Sequence, residues 1–515
     1  MAFSMKVLCH NSNFHTRSIS ISYFFTSPKH LCELRFRQGE RFALLENFEA
    51  ASTFFHQAAS LPGGQELWHW KALNFCPSVF QDEEAIERFW SHLNKGLDIA
   101  LGRNIPIRFE TLPKDGFTPS FNLPHLNRCC REIKEKFSAL FEKAFLHNRP
   151  LLRDTMKNRT KIRIGFVVTA GHHRGFLRVY RYILERLNAK KFDIFFFCPK
   201  PILDACRKSV HSDSIHYVGL PAVFTEMVST LREAGCDVLY HWKVGGGTLD
   251  YFLARARAAP IQCTSFGTHG TSGVKAVDYY LSTSCLESHD AAAHYTEQLV
   301  LFDSYPTAHP YEPVQMSVSR SELGLPEKGA FYFCPHRLPK YHPCFDKYLR
   351  LILEGDQQGL LCVCAGKKKH LAELFAQRLR RFIGDDLFRR VRLLPSLPQE
   401  VYRKYLNAAS CVLDSPAYAG DLTTHDALCQ GVPVVTQKGE FLVQGYTAGI
   451  YRTLGMDSLI ASGAEEYAKI AVRLGTEPDY RNDTKDKIQE RCHSIFASMD
   501  TVYAYENFFE RVCSE

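Results

Sequence analysis

From Lys161 onward the chain alternates short, apolar, β-branched runs with amphipathic stretches, and it does so twice. In the first series IRIGFVVTA, FDIFFFCP, SIHYVGLP, CDVLYHW and PIQCTSFG read as strands, with RGFLRVYRYILERL and AVFTEMVSTLREAG as intervening helices. The runs are almost continuously apolar, as strands covered by helices on both faces must be. This order predicts a parallel, doubly wound sheet. A second series begins near Gly329, with strands GAFYFCP, LLCVCAG, VRLLPSL, CVLDSP and VPVVTQ and helices that include HLAELFAQRLRRF and QEVYRKYLNAA. Between the two, residues 305–328 hold Pro306, Pro310, Pro313 and Pro326 and read as a linker. The predicted fold is therefore α/β, with two Rossmann-like lobes facing a cleft. Such sheets take ligands at the carboxyl ends of their strands.

An α-helical region precedes the lobes. The run RQGERFALLENFEAASTFFHQAA has helical spacing, DEEAIERFWSHLNKGLDIAL is a second helix, and a third is expected from Leu126 to Leu146. The first looks like part of a tetratricopeptide-type hairpin, without a sustained repeat. No acid occurs before Glu33. That stretch reads as a disordered tail or as a targeting or secretion signal. The expected organisation is tail 1–30, helical lead-in 31–155, first lobe 156–304, linker 305–328 and second lobe 329–515. The second lobe is taken to include a long terminal helix, broken near Ser494–Asp500.

Lys plus Arg is 63 against 55 Asp plus Glu, a net charge of +8 over 515 residues. That excess suits an anionic ligand without demanding nucleic acid, and no interleaving of aromatic and basic residues marks a nucleic-acid surface. The chain has 18 cysteines but no CxxC pair, and Cys362 and Cys364 sit in an apolar run. A reducing cytoplasm is the simplest reading. No apolar run reaches the ~18–20 residues of a membrane span.

Four segments could carry chemistry. In CVLDSPAYAGDLTTHDALCQGVPVV, Asp421, Thr423 and Thr424 stand where a helix should begin, a place suited to phosphate. Asp426, expected in the first turn, could accept from ribose hydroxyls. Ordinary capping, with Thr424 as N-cap, explains the same pattern. In FCPHRLPKYHP, His336, Arg337 and Lys340 follow a strand and suit a diphosphate, or form a solvated basic turn. VVTAGHHRGFLR places His172 and His173 in a strand-to-helix loop, as a general base, as substrate contacts or as surface histidines. His241 and Lys243 in DVLYHWKVGGGT point to the same region. PIQCTSFGTHGTSG supplies backbone donors only. The glycine patterns match neither a dinucleotide fingerprint nor a P-loop, and neither HExxH nor D-x-D occurs.

The order of these motifs resembles the O-GlcNAc transferase/SPINDLY-like glycosyltransferases, above all their bacterial relatives. The stretches that carry it are KIRIGFVVTAGHH, RAAPIQCTSFGTHGTSGVKAVDYYLS, HYTEQLVLF, FCPHRLPKYHP, LDSPAYAGDLTTHDALCQGVPVVTQKGE and LIASGAEEYAKIAVRLGT. They span roughly Lys161 to Gly475. The resemblance implies a GT-B architecture. It also implies an inverting, metal-independent transfer from a UDP-sugar, typically UDP-GlcNAc, to Ser or Thr of a protein acceptor, with no cofactor. It assigns Lys340 to the diphosphate, Thr423 and Thr424 to phosphate and Asp426 to ribose. The backbone of Ser396–Pro398, with Leu397 at its centre, falls to the uracil, Gly267 to the sugar and His173 to the reaction site. His172 and His241 are left on the acceptor side.

Three departures stand out. His336 and Arg337 occupy the stretch where the family carries a glutamine. Gln444–Gly445 stands where many relatives carry an arginine. Asp421–Leu422 puts a carboxylate near a diphosphate, which is unfavourable unless Asp421 turns away. Another sugar, an Asn or glycan acceptor, or a GT-B-shaped binding protein are the alternative readings.

Overall fold

The computed structural model describes residues 27–145, 159–311, 313 and 318–514. Most of the expected tail, the 155/156 boundary and part of the linker lie outside the described residues. The described chain divides into two compact units, one ending at His69 and one running from Trp70 to Glu515.

The smaller unit is a helical hairpin. The periodic run divides into helices Pro28–Leu44 and Phe48–Ser60. Glu46 takes a left-handed conformation between them, and Asn47 caps the second helix by accepting from the Ala50 N–H at 3.2 Å. Phe36 and Phe55 meet edge to face at 5.4 Å. A side chain at Gly39 would press into the Phe55 ring, so glycine allows the two helices to close.

The larger unit holds both sheets. The first has seven parallel strands: β1 Ile162–Val167, β2 Phe192–Pro199, β3 Ile215–Leu220, β4 Val238–His241, β5 Ile261–Thr264, β6 Tyr279–Thr283 and β7 Gln298–Phe302. Their order is β3-β2-β1-β4-β5-β6-β7. The second has six parallel strands: β8 Phe331–Cys334, β9 Leu360–Gly366, β10 Val391–Pro395, β11 Cys411–Leu413, β12 Val434–Gln437 and β13 Ile460–Ala461. Their order is β10-β9-β8-β11-β12-β13. Strand order reverses at β1/β4 and at β8/β11, and crevices open at such switch points. β6, β7 and β13 add to the strands expected from sequence.

Four segments pack differently from their sequence expectations. The third helix spans Arg131–Leu140, because residues 123–126 form a 3₁₀ turn closed by left-handed Asn127. Together with the helix Glu83–Leu101 it belongs to the larger unit. Lys134 anchors it there, its Nζ donating to the Thr271 carbonyl at 2.6 Å. The start of the expected linker is core structure. Tyr305 and Ala308 are buried, and the Ala308 N–H donates to the Val179 carbonyl at 3.0 Å. The terminal segment breaks between Pro478–Arg491 and Met499–Ser514, and the last helix leaves the second lobe. Its Val502, Tyr505, Phe508 and Phe509 complete the core of the first sheet. Each such buried side chain contributes about 1.5–3 kcal/mol, which fixes that crossover. Among the described residues, no helix is long and apolar enough to cross a membrane.

Candidate active site

Asp414, at the carboxyl end of β11, organises the second-lobe side of the cleft. Its carboxylate is fully buried. It accepts from the Gly420 N–H at 2.6 Å and from the Thr436 hydroxyl at 2.8 Å. His336, just beyond β8, points Nε2 at the same carboxylate at 3.0 Å, which leaves Nδ1 to face the Thr423 hydroxyl at 3.4 Å. Burial holds the His336 imidazole below its ordinary value, with Asp414 opposing. The departure at His336 thus serves as a brace between a buried carboxylate and the helix start.

Lys340 follows in a 3₁₀ turn. Its Nζ donates to the Ala419 carbonyl at 3.1 Å and lies 4.2 Å from the centroid of the Tyr418 ring. Burial lowers its pKa to about 8, Asp414 works against that, and neighbouring Arg337 adds to it. Arg337 itself is exposed. Such an ammonium is under-solvated and gains strongly from an incoming anion.

The helix Leu422–Cys429 begins here, with Asp421 at its N-cap position. Thr424 is not the cap. Its hydroxyl donates to the Gly420 carbonyl at 3.0 Å and meets the Thr447 hydroxyl at 2.8 Å. Asp426 lies beyond the first turn, because the helix starts at Leu422. The Asp421 carboxylate turns into a buried polar cluster. It accepts from the Tyr305 hydroxyl at 2.6 Å and sits 3.4 Å from His309 Nε2 and 3.6 Å from His425 Nδ1. Those partners outweigh its burial and hold its pKa at about 2. The carboxylate read from the sequence as unfavourable is thereby engaged by partners of its own.

His309, Asp421 and His425 form the one group among the described residues whose ligand atoms could hold a metal, within 4.8 Å of one another. Their geometry suits a charge anchor better. The two rings stack at 3.7 Å with 21° between planes, so their nitrogen lone pairs run side by side rather than converge.

On the first-lobe side, His173 opens the helix His173–Arg186 and faces the cleft. Its Nδ1 is buried and unpartnered, and burial lowers its pKa. His172 lies 3.3 Å from the Asp250 carboxylate, which also accepts from the Thr169 hydroxyl at 2.5 Å. Gly267 is pressed against the Trp242 carbonyl, where no side chain fits.

One expected site residue falls elsewhere, and another turns its side chain into the core while its backbone stays open to the expected role. His241 is buried and paired with Gln262 at 3.1 Å, and burial lowers its pKa to about 4. It braces β4 rather than meeting an acceptor. Leu397 packs against the second core, while Gln399 and Arg403 of the next helix face the cleft.

Between the lobes lies a cavity of about 400 Å³, where His173 and Arg178 face Gln399, Arg403 and Asp426. Arg178 bridges it, with Nη2 2.5 Å from Asp426 Oδ1. Beside Lys340, the segment before the third helix closes the cleft. His125 stacks on Tyr418 at 4.4 Å, and Phe121 meets His269 at 4.3 Å and the Lys243 ammonium at 4.4 Å. The Tyr418 hydroxyl and His269 Nδ1 are 2.5 Å apart. Sequence reasoning missed Asp414, Arg178, His125, His269 and Tyr418. Only Asp414 carried a signal, as a carboxylate ending an apolar strand run.

Residues 313–505 match the family model for glycosyl transferase family 41. Two curated relatives agree with it. A protein of Eustoma exaltatum subsp. russellianum, "Probable UDP-N-acetylglucosamine--peptide N-acetylglucosaminyltransferase SPINDLY", is 24% identical over 302 residues, covering 56% of this chain and 32% of that one. The SEC protein of the same printed activity from Arabidopsis thaliana is 21% identical over 345 residues, covering 63% and 34%. The chain thus spans about a third of the length of these relatives. A mutant of the Thermobaculum terrenum O-GlcNAc transferase superposes with a TM-score of 0.69 at 20% identity, over 95% of this chain and 91% of that one. That likeness shows the two-lobed GT-B fold.

Proposed function

We propose that the chain transfers a sugar, GlcNAc in the first instance, from a UDP-sugar to Ser or Thr hydroxyls of protein acceptors. The observation that carries this reading is the Lys340 ammonium, under-solvated and placed beside the start of the helix Leu422–Cys429. Negative charge grows on the β-phosphate as the glycosidic bond breaks, and a fixed cation beside helix N–H groups stabilises it. Thr423 and the backbone N–H groups at the start of the helix Leu422–Cys429 would hold the phosphates. Asp426 would take the ribose and the 396–398 backbone the uracil, with Gly267 leaving room for the sugar.

The acceptor would enter from the first lobe, past His173. Its hydroxyl then attacks the anomeric carbon opposite the departing UDP, and configuration inverts. Holding that hydroxyl in line is the larger part of the task, and its proton leaves late. His173, its pKa lowered by burial, lines this path. Charge stabilisation by Lys340 supports a reaction without metal or cofactor.

The test is a thermal-shift screen of UDP, UDP-GlcNAc, UDP-glucose and other nucleotide sugars, followed by mass spectrometry of proteins co-expressed with the chain. A UDP-dependent rise in stability and hexosamine on Ser or Thr are expected. Lys340→Met should retain the fold and lose at least about a hundredfold in turnover. Full turnover in that variant, or no stabilisation by any UDP compound, overturns the proposal.

A further inference from the structure

We infer that the acceptor segment for this cleft is acidic, with carboxylates close to the modified hydroxyl received by Arg174 and Arg181. The inference rests on the reading above and names its substrate class. The helix His173–Arg186 carries Arg174, Arg178 and Arg181 at spacings of four and three, which places them on one face. All three line the 400 Å³ cavity, and Arg403 faces them from the second lobe. Against these four guanidinium groups the cavity wall offers one carboxylate, Asp426. Arg178 takes it at 2.5 Å. No acid of the described residues pairs with Arg174, Arg181 or Arg403.

The donor does not account for the three remaining cations. Its charge lies on the diphosphate, which Lys340 and the helix start would take. The uridine that Asp426 would hold is neutral. Like charges gathered around one cavity repel, and a carboxylate entering it relieves that repulsion while gaining charge-assisted, bidentate hydrogen bonds. His173 lines the same cavity, so an anion bound there sits within a few residues of the reacting hydroxyl. The other candidate anion, a further phosphate on the nucleotide, would compete with UDP for Asp426 and is distinguished by the test.

The experiment uses the full chain and two fluorescein-labelled peptides, one with a central Ser flanked by Glu and one flanked by Lys. Fluorescence anisotropy is read with and without saturating UDP. The Glu peptide should bind at least about tenfold more tightly at low salt, with UDP present, and lose that advantage as salt rises. The double variant Arg174→Glu with Arg181→Glu should reverse the preference, while the thermal shift given by UDP stays as in the parent chain. Equal binding of both peptides, an unchanged preference in the variant, or displacement of the Glu peptide by UDP overturns the inference. If UDP gives no thermal shift but the peptide preference holds and reverses, the donor reading fails and the acidic-segment inference stands.

Discussion

Arg178 and Asp426 join the two lobes across the cleft, with Nη2 of one 2.5 Å from Oδ1 of the other. Burial raises the Asp426 pKa, and Arg178 is the largest influence against it. Both side chains keep some exposure, at 38% and 22%, so the pair is worth about 1 kcal/mol rather than the several of a fully buried pair. Arg178→Ala and Asp426→Ala should each lower stability, and urea unfolding of the two variants and their double should return a coupling of about 1 kcal/mol. If Asp426 also receives the ribose, only its variant should lose UDP affinity, by about tenfold. Equal UDP affinity in both single variants would remove Asp426 from the donor site.

Lys340 gives the cleft a pH dependence. Its pKa is lowered from 10.5 to about 8 in the folded chain. Below pH 8 it is an ammonium ready for a diphosphate, and above pH 8 it loses the proton. Bound UDP favours the charged form, so binding in that upper range takes up a proton and UDP affinity falls as pH rises. Calorimetry at pH 8.5 in buffers of different ionisation enthalpy, an order-of-magnitude choice just above the transition, should show that uptake. Lys340→Met should abolish it. Proton release on binding, or a flat affinity across the same range, would contradict the assignment.

Acid should destabilise the fold through its buried histidines. Burial lowers His125 and His425 to about 3 and His241 and His342 to about 4. All four side chains are buried, and their unfolded value is near 6.5. A lowered folded pKa means that the unfolded chain binds more protons, so stability is full above pH 6.5 and declines as pH falls toward 4. Each histidine adds up to about 1.4 kcal/mol per pH unit within its window. Urea midpoints measured across that window should fall steeply, and His425→Gln should reduce the slope by one proton. A midpoint independent of pH there would show these imidazoles to be solvated.

Much of this fold was legible because fully covered parallel strands need long apolar runs, which LLCVCAG and FDIFFFCP display without ambiguity. β13 was not, since two residues pairing with Thr436 and Gln437 leave no periodic trace. The glycosyltransferase motifs pointed to Lys340 and Thr423, because helix starts and strand-end cations are local features. Their supports were hidden. Asp414 meets His336 across 78 positions of chain, and His125 reaches Tyr418 from a segment that reads as an ordinary turn. The Asp421 carboxylate looked like a fault in one dimension, because Tyr305 and His309 arrive from the start of the expected linker, with Tyr305 116 positions away in the chain.

Three glycines should separate fold from function. A methyl group at Gly267 would overlap the Trp242 carbonyl, and one at Gly445 the Leu286 carbonyl. Both obstacles are backbone, which cannot rotate away, so Gly267→Ala and Gly445→Ala should each lose about 2 kcal/mol or more of stability. The Gly445 contact leaves no room for a side chain at that position. At Gly420 the obstacles are the ends of side chains, Thr423 Oγ1 and, at 2.8 Å, His336 Cε1. Thr423 can turn, at a cost of about 1 kcal/mol, but it then leaves the place from which it is proposed to hold phosphate. Gly420→Ala should therefore keep most of its stability and lose most of its UDP-induced thermal shift. A variant that unfolds as readily as Gly267→Ala, or that retains the full UDP shift, would show that the Gly420 turn does not shape the donor site.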